Sequence, residues 1–230
     1  MKFNQELFQQ QFQFSELAHR AQQAFGERTR LIYENTDIRA LPTPRESLLY
    51  QVTNRPVFSV VPFFYLGFLL EKNPTLIADI GCGANLFKKV ILQIHGIDPG
   101  TDNQMADEHD FFDAEFSQGH TNAYPSAFSI CAIHFLSLSK LGERIMEFAN
   151  IIESGGRGFL AMNIERMLEH TSEDELVRLT DTPTPDRDTL SEYVDDVIRA
   201  LPLKFLVVDN LVKEYVNEAV NGNIRLVFEK

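Results

Sequence analysis

The stretch LIADIGCGANLFKKVILQIHGIDPG (residues 76–100) decides the fold, because it joins two apolar runs through a glycine turn and ends in an acid. LIADI predicts a buried strand, and Gly81 and Gly83 allow the backbone to bend sharply and to approach a ligand closely. Asp98 follows the second apolar run, where a carboxylate at a strand tip can accept both hydroxyl groups of a ribose. The order predicts a site for a nucleotide-like ligand, although a glycine turn alone is equally compatible with a simple strand-to-helix turn.

Short apolar runs continue along the chain and alternate with helix-like or polar segments. The runs cover residues 76–80, 90–97, 128–136, 157–164, 203–208 and 223–228. This alternation predicts a doubly wound α/β domain, in which helices cover both faces of a mostly parallel sheet. The NGN at residues 221–223 favours a tight turn, so the last two runs predict a terminal hairpin.

The first part of the chain has a different pattern. Apolar residues recur at helical spacing from Asn4 to Phe25, and Pro42 and Pro44 predict a loop after them. We therefore expect residues 1–54 to form an N-terminal helical cap on a main domain of residues 55–230.

Composition narrows the classes of partner. The 33 acidic and 21 basic residues give a formal charge of −12, which repels phosphate backbones and makes duplex nucleic acid an unlikely partner. The longest apolar stretch, residues 57–70, is shorter than the roughly 20 residues that a membrane span needs, so we expect a cytoplasmic protein. The two cysteines do not indicate a disulfide framework, and the six histidines follow no metal-ligand spacing, so no metal is expected.

Two further motifs follow the opening stretch. DFFDAEFS places Asp113 at the start of a loop, and SAFSICAIHFLSLS predicts another buried strand. Each aspartate alone would be interpreted as a turn residue, but their order resembles that of the class I S-adenosylmethionine-dependent methyltransferases. The resemblance covers residues 55–230 and rests on LIADIGCG, GIDPG, DFFDAE, FSICAIHFLSLS and IIESGGRGFLAMN.

The resemblance implies a seven-stranded sheet with an antiparallel last strand, and S-adenosylmethionine as the cofactor. It distributes the cofactor contacts by motif: Asp79, Gly81, Cys82 and Gly83 in the loop, Asp98 and Pro99 at the ribose, Asp113 and Ala114 at the adenine, and His134 with Phe135 at the methyl-donor end. His134 is also the candidate catalytic base, because an unperturbed imidazole titrates near pH 6.5. A packing or cofactor-contact role for His134 is the alternative.

Two positions depart from the methyltransferase pattern. Asn85 replaces the usual third glycine, a tolerable change because asparagine adopts left-handed backbone geometry readily. Only twelve residues, Ala84 to His95, separate the glycine turn from GID, so the intervening helix is limited to about two turns, Asn85–Ile91. A nicotinamide dinucleotide is a weaker interpretation, because its fingerprint requires glycine where Leu86 stands.

The predicted function is methyl transfer from S-adenosylmethionine to an unidentified acceptor, with a small molecule favoured. After the fourth motif the chain reads IHFLSLS, without the Asn/Asp-Pro-Pro-aromatic or Pro-Cys signatures of base-modifying methyltransferases. The alternative is a non-catalytic binding or scaffold protein with the same fold, which the short helix after the glycine turn favours.

Overall fold

The computed structural model describes residues 65–83, 85, 87–89, 92–100, 106–210, 212 and 224–230. The predicted helical cap, residues 1–54, and its boundary with the main domain lie outside the described residues.

In the described part of the chain, one sheet contains six strands in the order β2-β1-β3-β4-β6-β5. The strands are β1 (Ile77–Ile80), β2 (Ile94–Ile97), β3 (Tyr124–Ile130), β4 (Ile152–Met162), β5 (Lys204–Asn210) and β6 (Ile224–Glu229). The pairs among β1 to β4 are parallel, whereas β6 lies antiparallel between β4 and β5. The predicted mostly parallel sheet with an antiparallel last strand is confirmed.

The prediction of seven strands is wrong by one strand in the described residues. Beside β2, at the edge of the sheet, the chain makes a single parallel bridge between Ile97 and Glu108 and no strand. The Asp107 carboxylate accepts a hydrogen bond from the Gly96 N–H at 2.8 Å, so a side chain takes a position that a strand carbonyl would occupy. Acidic side chains of this kind have low strand propensity, which explains why the pairing stops.

Helices cover both faces of the sheet. They are α1 (residues 65–70), α2 (Ala114–Gly119), α3 (Leu141–Asn150), α4 (Ile164–Glu169), α5 (Glu173–Thr180) and α6 (Arg187–Ala200), with 3₁₀ turns at Phe87–Lys89 and Leu138–Lys140. Side chains of α2, α3, α4 and α6 form one buried cluster, in which Phe148 meets Phe228 edge to face. On the opposite face, Tyr65 of α1 stacks on Phe159 with ring centroids 4.8 Å apart. This two-layer burial confirms the predicted doubly wound class.

The connection between β1 and β2 is shorter than the predicted two-turn helix. Its described helical part is the single 3₁₀ turn Phe87–Lys89. Asn85 has φ of +48°, the left-handed geometry expected there, and its side chain lies so close to Gly96 that a Cβ on that glycine would meet it at 2.4 Å. The few residues available must turn and also return to β2, which leaves little length for a helix.

Strand β3 ends earlier than predicted. The apolar run at residues 128–136 suggested a strand through His134, but β3 ends at Ile130. Cys131 has φ of +53°, which is incompatible with an extended strand. Residues 131–136 therefore form a loop over the carboxyl end of the sheet. No helix in the described residues is long and apolar enough to cross a membrane.

Candidate cofactor cleft

A cleft that is open to solvent lies at the carboxyl ends of β1, β2 and β3. The chain passes from β1 to β2 on one side and then returns to β3 on the other, so this is the point where the strand order reverses. Such switch points are the usual ligand sites of open α/β sheets. Residues from four separate motifs line the cleft: Ile80 and Gly81, Pro99, the segment 110–112, and Ala132 with Ile133.

The glycine turn is packed against the loop that follows β3. Gly81 has φ of +74°, and a Cβ built on it would lie 2.1 Å from the Cβ of Ala132. Gly83 has φ of +51°, but a Cβ there would have no atom of the described residues within 4 Å. Gly81 is therefore required by close packing, whereas Gly83 presents its backbone to open space where a ligand can approach.

Asp98 binds backbone amides. Its Oδ2 accepts from the Gly83 N–H and its Oδ1 accepts from the Gly100 N–H, both at 2.9 Å. The side chain is buried and braces the glycine turn from below, while the neighbouring Pro99 is exposed and lines the cleft. The ribose-binding role of Asp98 stays a prediction.

Asp79 lies behind the glycine turn and is 3% exposed. Its Oδ2 has no hydrogen-bond partner among the described residues. Burial, and after it the charge of Asp98, raise the pKa of Asp79 well above its usual range, because both disfavour the ionised carboxylate. A buried acceptor without a partner is rare in proteins and is compatible with a positively charged ligand group.

Cys82 occupies the middle of the same turn. Burial, followed by the charges of Asp79, Asp98 and Asp107, raises its pKa to about 12. The Sγ donates to the Gly83 carbonyl at 3.7 Å. Cys82 is therefore a neutral thiol and is unsuited to act as a nucleophile.

Asp113 caps α2. Its Oδ1 accepts from the Phe116 N–H at 2.9 Å, and Ala114, the first residue of the helix, is exposed. The residues that line the cleft come just before them: the ring of Phe111 is 60% exposed, whereas Phe112 is buried. The sequence interpretation placed the adenine contact at Asp113 and Ala114 and missed Phe111, although the paired phenylalanines of DFFDAE were a signal for an apolar wall.

His134 lies behind the cleft wall, and its neighbour Phe135 is part of that wall and 60% exposed. The two rings are 4.6 Å apart. Burial, followed by the charges of Arg166 and His170, lowers the pKa of His134 to about 4. Its Nδ1 has no hydrogen-bond partner among the described residues. The imidazole is therefore neutral at pH 7 and has a ring nitrogen available, but it is a weaker base than an ordinary histidine.

Arg144 of α3 is the cation that lines the cleft, and the sequence interpretation did not identify it. It lies eight residues beyond the IHFL loop on a helix whose pattern indicated only packing. In the described residues, no group of three or more histidine, cysteine, aspartate or glutamate side chains is arranged to hold a metal ion.

No protein-family model matches the chain, and no curated protein matches it. One solved structure that resembles it is the CurJ carbon methyltransferase, with 16% identity and a TM-score of 0.46 over 100% of this chain and 72% of that chain. Another is the DszA carbon methyltransferase, with 12% identity and a TM-score of 0.48 over 98% of this chain and 69% of that chain. A third is an S-adenosylmethionine-dependent methyltransferase from Archaeoglobus fulgidus, with 13% identity and a TM-score of 0.43 over 77% of this chain and 95% of that chain. The strand order and the antiparallel last strand give this chain the Rossmann-like α/β fold that the sequence motifs indicated, with the cleft at its switch point.

Proposed function

We propose that this protein binds S-adenosylmethionine and transfers its methyl group to an acceptor, with a small molecule as the favoured acceptor class. One observation carries the proposal: four sequence motifs that are far apart along the chain line a single cleft at the switch point of the sheet. The strand order brings these strand ends together, and a cleft at such a switch point is where open α/β sheets bind nucleoside ligands.

The residues present fit such a cofactor. Gly83 offers backbone beside open space, and Phe111, Ile133 and Phe135 offer apolar surface to a flat base. Burial raises the pKa of Asp79, and a positively charged ligand group beside it would favour the carboxylate and supply the partner that its Oδ2 lacks. When bound, S-adenosylmethionine supplies an activated methyl group.

The chain's own contribution to the reaction would be mainly to orient the acceptor and to exclude water from the cleft. His134, Gly81, Cys82, Asp98, Pro99, Asp113 and Ala114 remain the proposed contacts of cofactor or acceptor. His134 would act on the acceptor as a neutral hydrogen-bonding group, because its pKa of about 4 limits it as a general base. A cytoplasmic location belongs to this proposal.

A non-catalytic scaffold is the second candidate, and a specific observation favours it. Asp98 braces the glycine turn and Asp113 caps α2, so both acids have structural roles that need no ligand. The glycine turn is also followed by the single 3₁₀ turn Phe87–Lys89, where the methyltransferase pattern predicts a longer helix.

Calorimetric titration of the full chain with S-adenosylhomocysteine, and with NAD as the control ligand, separates these candidates. We expect saturable binding of the sulfur nucleoside and none of the dinucleotide. Failure to bind S-adenosylhomocysteine would remove the basis for a methyltransferase. If binding is found, incubation with labelled S-adenosylmethionine and a cell extract fractionated into small molecules, RNA and protein identifies the acceptor class, and a lack of label in every fraction favours the scaffold.

A further inference from the structure

Arg144 connects two walls of the cleft that come from distant parts of the sequence. It belongs to α3, whereas the opposite wall, residues 110–112, precedes α2 and contains no regular secondary structure. Arg144 itself lines the cleft, and its side chain is 15% exposed. The side chain therefore spans the space between the helix and the irregular wall.

Arg144 contacts Phe112 in two ways. Its Nη1 donates to the Phe112 carbonyl oxygen at 3.0 Å, and its guanidinium carbon lies 5.4 Å from the centroid of the Phe112 ring. The Phe112 ring in turn packs against Phe116 and Phe148, with ring centroids 5.7 and 6.2 Å away. One guanidinium thus restrains both the backbone and the ring of Phe112, and it is a planar group with the shape for both contacts.

Glu147, one turn along α3, holds the guanidinium in place. Its Oε2 lies 3.1 Å from Arg144 Nη1, and both side chains are about 15% exposed. The remaining donors are not fully used, because the buried Nε of Arg144 has no hydrogen-bond partner among the described residues. An apolar side chain would fill this position without burying an unpaired donor. The cost of the buried cation indicates that its contact with the irregular wall has a role beyond packing.

We propose that Arg144 is a positioning residue for the nucleoside half of the cofactor, because it holds the wall at residues 110–112 at the distance where Phe111 contacts the ligand. This inference rests on the proposed function. Without the guanidinium, the wall keeps the packing of the Phe112 ring but loses its hydrogen bond to α3. Affinity for any ligand that contains the nucleoside then falls, whatever the ligand carries at its other end.

Arg144→Met tests the inference, because methionine keeps an unbranched apolar stem against Phe112 and removes the donors. We expect S-adenosylhomocysteine and adenosine to bind about ten- to a hundredfold more weakly, by the same factor for both ligands, as for a lost hydrogen bond to a charged group. Arg144→Lys keeps the charge and one donor and should recover part of the loss. Arg199→Met is the matched control, since Arg199 lies on the exposed surface of α6 and pairs with Asp196.

The outcomes are distinct. If Arg144→Met binds S-adenosylhomocysteine as well as the unmodified protein does, Arg144 does not position the wall. If circular dichroism shows that the methionine variant is unfolded, Arg144→Lys takes its place in this comparison. If the loss is confined to S-adenosylhomocysteine and spares adenosine, Arg144 acts on the other half of the ligand and the inference is wrong. If the unmodified protein binds neither ligand, the proposed function itself fails and this inference fails with it.

Discussion

Gly81 and Gly83 provide a matched pair for testing the packing of the glycine turn. Both have positive φ, at +74° and +51°, so alanine at either position costs about 1–2 kcal/mol from left-handed geometry. At Gly81 the new Cβ also meets the Cβ of Ala132 at 2.1 Å, whereas at Gly83 it meets no atom of the described part of the chain within 4 Å. Overpacking of this kind costs about 1–3 kcal/mol more. We therefore expect Gly81→Ala to lower the free energy of unfolding by about 2–5 kcal/mol and Gly83→Ala by about 1–2 kcal/mol.

Urea denaturation followed by circular dichroism measures the difference. With a slope of about 2–3 kcal/mol per molar urea, a gap of about 2 kcal/mol separates the two midpoints by about 0.7–1 M. The double variant Gly81→Ala/Ala132→Gly removes the overlapping methyl group, so it should recover most of the extra cost. Equal destabilisation by the two single substitutions, or no recovery in the double variant, would refute the role given to Ala132.

Three further substitutions, with Asp186→Ala as a control, test the acids and the histidine of the site. Asp98→Ala should lower the free energy of unfolding by about 1–3 kcal/mol, because two backbone N–H groups lose their acceptor, and it should weaken S-adenosylhomocysteine binding. Unchanged stability in urea would contradict the bracing role of Asp98. Asp113→Ala and Asp186→Ala each remove a helix N-cap and should each cost about 1 kcal/mol, but calorimetry should show weaker ligand binding for Asp113→Ala alone. The pKa of His134 is about 4 in the folded protein against about 6.5 when unfolded, so its contribution to stability is complete above pH 6.5 and is lost as the pH falls through 4. Between pH 7 and pH 4 the free energy of unfolding of the unmodified protein should therefore fall by about 3 kcal/mol more than that of His134→Gln. Equal falls in the two proteins would place the histidine in a solvated environment.

Much of the fold could be predicted because its signals are local. Apolar runs overlapped all six described strands and placed β1, β5 and β6 within two residues at both ends, and the chemistry of Gly81, Gly83 and Asn85 predicted a turn with left-handed backbone. These properties depend on the residue and its immediate neighbours. The same local signals misplaced the end of β3, because a run of apolar side chains does not report the positive φ of Cys131.

The sequence alone determined the α/β class, the position of the glycine turn and the order of the motifs around one cleft. Only the tertiary structure decided which side chains face that cleft. Asp98 turns toward two amides and His134 lies behind the wall, whereas Phe111 and Arg144 line the cleft, and Arg144 belongs to none of the sequence motifs. The physical reason is distance along the chain: the partners that bury or expose a side chain come from residues far away, such as Phe112 for Arg144, and periodicity and turn chemistry extend over only a few positions.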